Sequence, residues 1–105
     1  MKRCDIGIIG LSVMGRSLAL NMADHGFQVA GYNRSRTVTE QVVQQHPHDN
    51  LHPYYDLQEF VSALQRPRRI MLMIKAGAPV DGVIDQLIPL LEPGDIILDG
   101  GNSFF

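Results

Sequence analysis

The chain has 105 residues, of which 45% are apolar, and this size suits one globular domain with its own core. Nine lysines and arginines against eleven aspartates and glutamates give a formal net charge of -2, so the overall charge attracts neither nucleic acid nor an anionic membrane. The single cysteine, Cys4, can form no internal disulfide, and no apolar run approaches the roughly 20 residues of a membrane span, so we expect a cytoplasmic protein.

Short apolar runs alternate with amphipathic segments, and this alternation predicts strands and helices in turn. Strands are predicted over residues 4–9, 28–32, 69–74 and 96–98. The first helix is predicted to begin at Val13 and to end at His25-Gly26, and the second to begin at an N-cap, Ser35, and to end at about Gln45. A capping box at Asp56–Glu59 begins a third, short helix. The fourth is predicted to begin at Pro79 and to end at Pro93-Gly94. Strands that are apolar throughout predict a parallel sheet with helices on both faces. The fold class is therefore an incomplete, doubly wound, Rossmann-like α/β sheet with three layers.

The stretch from Gly10 to Gly15 differs at one position from the Gly-x-Gly-x-x-Gly fingerprint of dinucleotide-binding proteins. It lies between a predicted strand and a predicted helix, where backbone N–H groups and the positive end of the helix dipole can hold a pyrophosphate. We expect Gly10 to permit a tight turn and Gly15 to let the helix approach the strand. Ser12 takes the middle position, and its hydroxyl could donate to a phosphate. A sharp strand-to-helix turn without a ligand is the alternative interpretation.

The end of the second predicted strand bears on the choice of cofactor. NAD-binding folds usually have a carboxylate there for the ribose 2′-hydroxyl, whereas this chain has Asn33-Arg34-Ser35-Arg36. A guanidinium forms charge-assisted hydrogen bonds with a 2′-phosphate, so Arg34 predicts a preference for NADP over NAD. The alternative interpretation of this stretch is a solvated turn that leads into a helix, and it applies above all to Arg36.

Two further stretches follow the ends of predicted strands, where ligands bind in open α/β sheets. The third of these predicted strands runs out into Ile74-Lys75-Ala76-Gly77, and Asp99-Gly100-Gly101-Asn102-Ser103 follows the last. Glycines there allow close backbone approach, and Asn102 and Ser103 offer donors for a polar ligand. Taken alone, Gly100-Gly101 is as well explained as an ordinary loop, and Lys75 as a solvated strand end.

Three histidines, His46, His48 and His52, raise the question of a metal site. They lie in a polar stretch interrupted by prolines, and no predicted helix or strand fixes their geometry. We therefore expect no metal site there.

Four stretches together resemble the decarboxylating 6-phosphogluconate dehydrogenase family: GLSVMGRSLALNM, GFQVAGYNRS, IMLMIKAG and DIILDGGNS. The resemblance covers residues 5–105. The first two motifs are shared in outline by all β-hydroxyacid dehydrogenases, while Ile-Lys-Ala-Gly and Asp-Gly-Gly-Asn-Ser resemble the 6-phosphogluconate branch. That family commonly has a small residue, often alanine, at the position of Ser12, so the serine is a mild variation.

The resemblance implies that the chain binds NADP through segments at one edge of the predicted sheet. The cofactor-binding residues would be Gly10, Leu11, Ser12, Val13, Met14 and Gly15 around the dinucleotide; Asn33, Arg34 and Ser35 on the adenosine ribose and its 2′-phosphate; Ile74, Lys75 and Ala76 along the cleft; and Asn102, which would contact both nicotinamide and the sugar acid.

The resemblance also implies a reaction, in which C3 of 6-phosphogluconate is oxidised by NADP and the β-keto acid loses carbon dioxide to give ribulose 5-phosphate, in the pentose phosphate pathway. The family's lysine base, its glutamate acid and most substrate-phosphate ligands lie in later segments, including a helical domain and a partner subunit's tail. We therefore expect residues 1–105 to be the N-terminal part of the NADP-binding domain of a homodimeric enzyme, without catalytic residues and inactive alone. The alternatives are another β-hydroxyacid dehydrogenase, which would favour NAD, and a non-catalytic NADP-binding module.

Overall fold

The computed structural model describes residues 3–74 and 78–99, and within these ranges it gives no account of the side chains of residues 78–81 and 99. Five strands alternate with helices in this part of the chain. The strands are β1 (Ile6–Ile9), β2 (Val29–Tyr32), β3 (Leu51–Tyr54), β4 (Arg69–Leu72) and β5 (Ile96–Asp99). The helices are α1 (Val13–Asp24), α2 (Arg36–Gln45), α3 (Leu57–Ser62) and α4 (Ala78–Leu87), with a 3-10 turn over Ile88–Leu90.

The strands form a single parallel sheet in the order β3-β2-β1-β4-β5. β1 lies in the centre, where Ile8 is the register partner of Gly31 in β2 and of Met71 in β4. The chain leaves β1 towards β2 on one side, whereas β4 lies on the other side. The strand order therefore reverses between β1 and β4, and in such sheets the crevice for a ligand opens at the carboxyl ends of these strands.

Helices cover both faces of the sheet, as the sequence predicts. Side chains alternate along β1, so Ile8 points to one face and Ile9 to the other. The core on the side of α1 and α2 is formed by Ile8, Leu11, Ala19, Ala23, Val29 and Val42. The core on the side of α3 and α4 is formed by Cys4, Ile9, Ala30, Phe60, Val61, Leu64, Ile70, Leu72 and Leu87.

Phe60 anchors α3 against the middle of the sheet. A Cβ atom at Gly7 in β1 would lie 2.5 Å from Cζ of Phe60, so only glycine lets the ring approach this closely. The ring also packs against two tyrosines of neighbouring strands, with centroid distances of 5.9 Å to Tyr32 and 6.4 Å to Tyr54. The N-cap bond of the predicted capping box starts this helix, since the Asp56 carboxylate accepts from the N–H of Glu59 at 3.0 Å.

A buried ion pair holds the loop before β5 against the start of β4. The Asp95 carboxylate accepts hydrogen bonds from the Arg68 backbone N–H at 2.7 Å, from Nη1 of Arg68 at 3.1 Å and from the Glu92 N–H at 2.9 Å. The side chains of Arg68 and Asp95 are 9% and 2% exposed. The outer Arg66 guanidinium pairs with the Glu92 carboxylate at a much more exposed position.

The structure differs from the sequence prediction at two elements. β3 was not predicted, because its four residues include His52 and Pro53. Proline is tolerated there because β3 pairs only with β2 in the described sheet. The nitrogen of Pro53 faces away from β2, so no hydrogen bond between the strands is lost. α4 was predicted to continue towards Pro93, but it ends at Leu87. Pro89 lacks the N–H that an α-helix needs, and the chain continues as the 3-10 turn.

Candidate functional site

The turn after β1 is built around two glycines that no larger residue can replace without backbone movement. Gly10 has φ +100, and a Cβ atom there would lie 2.5 Å from the carbonyl oxygen of Met73 at the end of β4. A Cβ atom at Gly15 would lie only 1.8 Å from the carbonyl oxygen of Gly10. The tight turn at Gly10 and the close approach at Gly15 that the fingerprint predicts are both confirmed.

The start of α1 presents uncapped backbone donors beside exposed apolar side chains. Ser12 is the N-cap residue, but its hydroxyl makes no capping hydrogen bond. The first hydrogen bond of the helix runs from the N–H of Arg16 to the carbonyl of Ser12 at 2.8 Å, so the preceding N–H groups point out of the helix start. Val13 and Met14 are 66% and 69% exposed. This arrangement suits a ligand that has both an anionic group and an apolar, planar group.

The turn after β2 is tied directly to the turn after β1. The N–H of Gly10 donates to the carbonyl of Tyr32 at 2.9 Å, and the N–H of Leu11 donates to Oδ1 of Asn33 at 2.8 Å. Nδ2 of Asn33 donates to the carbonyl of Ser35 at 3.3 Å. The Asn33 carboxamide therefore holds the two turns together, and the ribose contact that the resemblance implies for it stays a prediction.

The start of α2 is electropositive. Arg34 and Arg36 are exposed, and the first turn of α2 contains no acidic residue. Among the side chains that the structure describes, neither arginine forms an ion pair. Ser35 is the N-cap residue, as predicted, but its side chain makes no capping hydrogen bond. Two guanidinium groups and the positive end of a helix dipole thus lie together at this edge of the sheet.

A cavity of about 480 Å³ opens at the carboxyl ends of β1, β2 and β4, beside α4. This volume lies within the range of small-molecule sites, roughly 300–1,000 Å³. Its lining residues are Ile9, Tyr32, Asn33, Arg34, Leu57, Ile74, Gly82, Val83 and Gln86. Three of the predicted cofactor-binding residues, Asn33, Arg34 and Ile74, are therefore brought to one cavity.

Sequence reasoning missed the contribution of α4 to this cavity. Gly82, Val83 and Gln86 line it from one side of the helix. A Cβ atom at Gly82 would meet nothing within 4 Å, so protein packing does not require a glycine there. Glycine inside a helix lowers stability by about 1 kcal/mol relative to alanine. A glycine at position 82 of the predicted helix was therefore the signal in the sequence that could have indicated a role at the cavity.

Several predictions cannot be compared with the structure. Lys75, Ala76 and Asn102 lie outside the described residues, so their cofactor and substrate contacts stay predictions. Of the three histidines, His46 and His48 precede β3 and His52 lies within it, and none of them lines the cavity. Nε2 of His48 contacts Oδ1 of Asp24 at 2.7 Å, and Nε2 of His52 contacts Oε1 of Gln28 at 2.7 Å.

Tyr32 and Arg34 are the titratable side chains in the described lining of the cavity. Its described lining contains no carboxylate, histidine or lysine, which are the usual acids and bases of catalysis. The groups with clearly shifted pKa values lie outside the lining. Burial, and then the charge of Asp5, raises the pKa of the Cys4 thiol to about 11. Burial, and then the charges of Cys4 and Glu59, raises the pKa of Tyr54.

The chain is similar to the N-terminal part of 6-phosphogluconate dehydrogenases. The family model described as the NAD binding domain of 6-phosphogluconate dehydrogenase matches residues 5–105. The decarboxylating 6-phosphogluconate dehydrogenase of Bacillus licheniformis is 56% identical over 103 residues, which are 98% of this chain and 22% of that protein. The corresponding Salmonella typhimurium enzyme is 54% identical over 105 residues, which are 100% of this chain and 22% of that protein.

A solved structure with the same fold is that of Plasmodium falciparum 6-phosphogluconate dehydrogenase, studied in its apo form, with its cofactor NADP+ and with its substrate 6-phosphogluconate. It matches with a TM-score of 0.87 and 40% identity, covering 97% of this chain and 22% of that chain. The chain thus spans 22% of the length of the relatives that it matches. Within residues 3–74 and 78–99, no helix is long and apolar enough to cross a membrane.

Proposed function

The chain belongs to the family of the NAD-binding domain of 6-phosphogluconate dehydrogenase, and we propose that it binds NADP as the N-terminal part of the cofactor domain of a decarboxylating enzyme. The whole enzyme would oxidise 6-phosphogluconate at C3 and release carbon dioxide to form ribulose 5-phosphate. It would act in the cytoplasm as a homodimer, in the pentose phosphate pathway. The part played by these 105 residues is to bind and orient the cofactor.

The single observation that carries the choice of NADP is the position of Arg34. It lines the cavity at the end of β2, where NAD-binding folds usually have a carboxylate. The neighbouring Asn33 is neutral, and its side-chain oxygen is already used by the Leu11 N–H. A ribose 2′-hydroxyl would therefore meet no acid from this turn, whereas a 2′-phosphate would meet a guanidinium.

The site also fits the remaining parts of the cofactor. The uncapped start of α1, around Ser12, would hold the pyrophosphate, with Val13 and Met14 on the nicotinamide side. The apolar wall of the cavity, including Leu57 and Val83, would pack against the adenine ring. When bound, NADP supplies the hydride acceptor, and the protein supplies orientation.

Calorimetric titration with NADP and with NAD tests the proposal. The unmodified chain should bind NADP saturably and in preference to NAD. Arg34→Ala should lose charge-assisted contacts worth about 1.5–3 kcal/mol for NADP, with little change for NAD. Arg69→Ala is the matched control, since it removes an exposed arginine at the start of β4, which is the opposite end of the sheet.

Two outcomes would contradict the proposal. A folded chain that binds neither cofactor would show that these residues do not form the site. Equal losses for NADP and NAD in Arg34→Ala would show that Arg34 does not recognise the 2′-phosphate. We also expect no NADPH formation when the chain alone is supplied with NADP and 6-phosphogluconate, because the described cavity lining contains no carboxylate, histidine or lysine for proton transfer.

A further inference from the structure

Arg36 is held in place by an aromatic ring beside the proposed 2′-phosphate site. Its guanidinium carbon lies 4.3 Å from the centroid of the Tyr55 ring. Tyr32 and Tyr54 are register partners at the ends of β2 and β3, so the residues that follow them leave the sheet side by side. The stack therefore joins the first residue of α2 to the residue after β3, at the edge where Arg34 also lies.

The charge around this stack is unbalanced. Among the side chains that the structure describes, Arg36 forms no ion pair, and the first turn of α2 has no acidic residue. Asp56, which follows Tyr55 in the sequence, is engaged in capping α3 through the N–H of Glu59. The positive end of the α2 dipole adds to the positive charge of the two arginines.

Stacking on an aromatic ring fixes a guanidinium without using its hydrogen bonds. The contact places the guanidinium carbon over the face of the ring and uses none of the N–H donors in a hydrogen bond, so these donors stay available to an anion. An exposed arginine normally loses side-chain entropy when it binds a ligand. Arg36 has already lost part of this freedom against Tyr55, which lowers the cost of binding.

We propose that Arg36, positioned by Tyr55, is a second specificity-determining residue for the 2′-phosphate of NADP. A phosphate monoester carries a charge of roughly -1.5 to -2 and three acceptor oxygens, which is more than one guanidinium balances. Arg34 meets this group from the cavity, and Arg36 meets it from the side of β3. The inference rests on the proposed function, because it concerns the same ligand and the same turn.

Calorimetric titration of the chain and five variants, one of which is Arg34→Ala, with NADP and NAD tests this inference. Arg36→Ala should weaken NADP binding about tenfold and NAD binding less than twofold. Tyr55→Leu should weaken NADP binding selectively, by a smaller factor, because the charge remains but is no longer held in place. Tyr55→Phe keeps the ring face and should retain the affinity of the unmodified chain. Arg69→Ala controls for the loss of one positive charge.

The outcomes separate this inference from the proposed function. If Arg34→Ala abolishes the preference for NADP while Arg36→Ala leaves it unchanged, the inference fails and the proposed function stands. Equal weakening of NADP and NAD by Arg36→Ala would mean a structural role and would overturn the inference. If Tyr55→Phe behaves as Tyr55→Leu does, the stack does not position Arg36. If the unmodified chain binds neither cofactor, the proposed function and the inference both fail.

Discussion

The backbone N–H of Leu11 donates to Oδ1 of Asn33 at 2.8 Å, and this bond joins two turns that are 22 residues apart in the sequence. One turn presents the start of α1, and the other presents Arg34 and the start of α2. A dinucleotide that contacts both turns needs them at a fixed separation. The bond therefore couples the stability of the chain to the geometry of the proposed cofactor site.

Asn33→Ala should destabilise the chain and weaken both cofactors. The variant leaves the half-buried Leu11 N–H without an acceptor, which should lower the free energy of unfolding by about 1–2 kcal/mol in urea denaturation. NADP and NAD should lose affinity together in calorimetric titration, because the alignment of the two turns serves both. Asn33→Asp is the matched variant, since it keeps an acceptor oxygen and adds a negative charge. It should retain most of the stability and shift the preference towards NAD; stability as low as that of Asn33→Ala would contradict this explanation.

Gly15→Ala should be strongly destabilising, and Gly82→Ala should not. A Cβ atom at Gly15 would lie 1.8 Å from the Gly10 carbonyl oxygen, so the backbone must move, at a cost of about 3 kcal/mol. A Cβ atom at Gly82 meets nothing within 4 Å, and alanine inside a helix should stabilise by about 0.5–1 kcal/mol. Urea denaturation of both variants checks the difference. Equal stability of the two variants would show that α1 does not need the close contact between Gly15 and the Gly10 carbonyl. If Gly82→Ala is stabilised but binds NADP more weakly, the loss of affinity comes from the change in the cavity wall and not from unfolding.

Asp95→Ala should cost much more stability than Arg66→Ala. Removal of the Asp95 carboxylate leaves the buried Arg68 guanidinium with only the more exposed Glu92 carboxylate, 3.9 Å away, and the loss of a buried partner typically costs about 3–5 kcal/mol. Arg66 belongs to an exposed pair with Glu92, whose loss should cost less than about 1 kcal/mol. The free energies of unfolding of the two variants, from urea denaturation, test this ranking. Similar small losses would show that the buried pair does not hold the loop before β5.

The Cys4 thiol should make stability fall as the pH rises from 9 towards 11. Burial, and then the charge of Asp5, raises its pKa from 9.0 to about 11 in the folded chain. Between these two pKa values the folded state therefore keeps a thiol proton that the unfolded state has released. The contribution of the buried, protonated thiol to the free energy of unfolding is fully present below pH 9 and is lost towards pH 11. The loss should be on the order of 2 kcal/mol. The unfolding free energy of the chain minus that of Cys4→Ala, measured across this interval, isolates the effect from other groups. A difference that stays constant with pH would disprove it.

Local sequence patterns predicted most of the fold and the geometry of the turn after β1. The turn at Gly10 and Gly15 and the cap at Asp56 depend on residues close together in the sequence, so their physical requirements are visible there. β3 depends instead on pairing with β2, and its short sequence with Pro53 gives no strand signal of its own.

The remaining features of the site depend on contacts between distant segments. The bond from Leu11 to Asn33 and the stack of Arg36 on Tyr55 each join residues from different βα units. The position of Val83 and Gln86 at the cavity follows from where α4 crosses the sheet, which a helical repeat does not specify. Residue types at the edge of the sheet were therefore predictable, but the partner of each side chain was not.

The strand order β3-β2-β1-β4-β5 has a consequence for how the chain folds while it is being made. A growing chain emerges N-terminus first, so β1 at the centre of the sheet is synthesised before any strand that flanks it. β2 and β3 then extend the sheet on one side, and β4 and β5 extend it on the other. Each new strand meets a neighbour that already exists, and none has to insert between two strands that have paired. Strands can therefore be added to the edges of the sheet in the order in which they are synthesised.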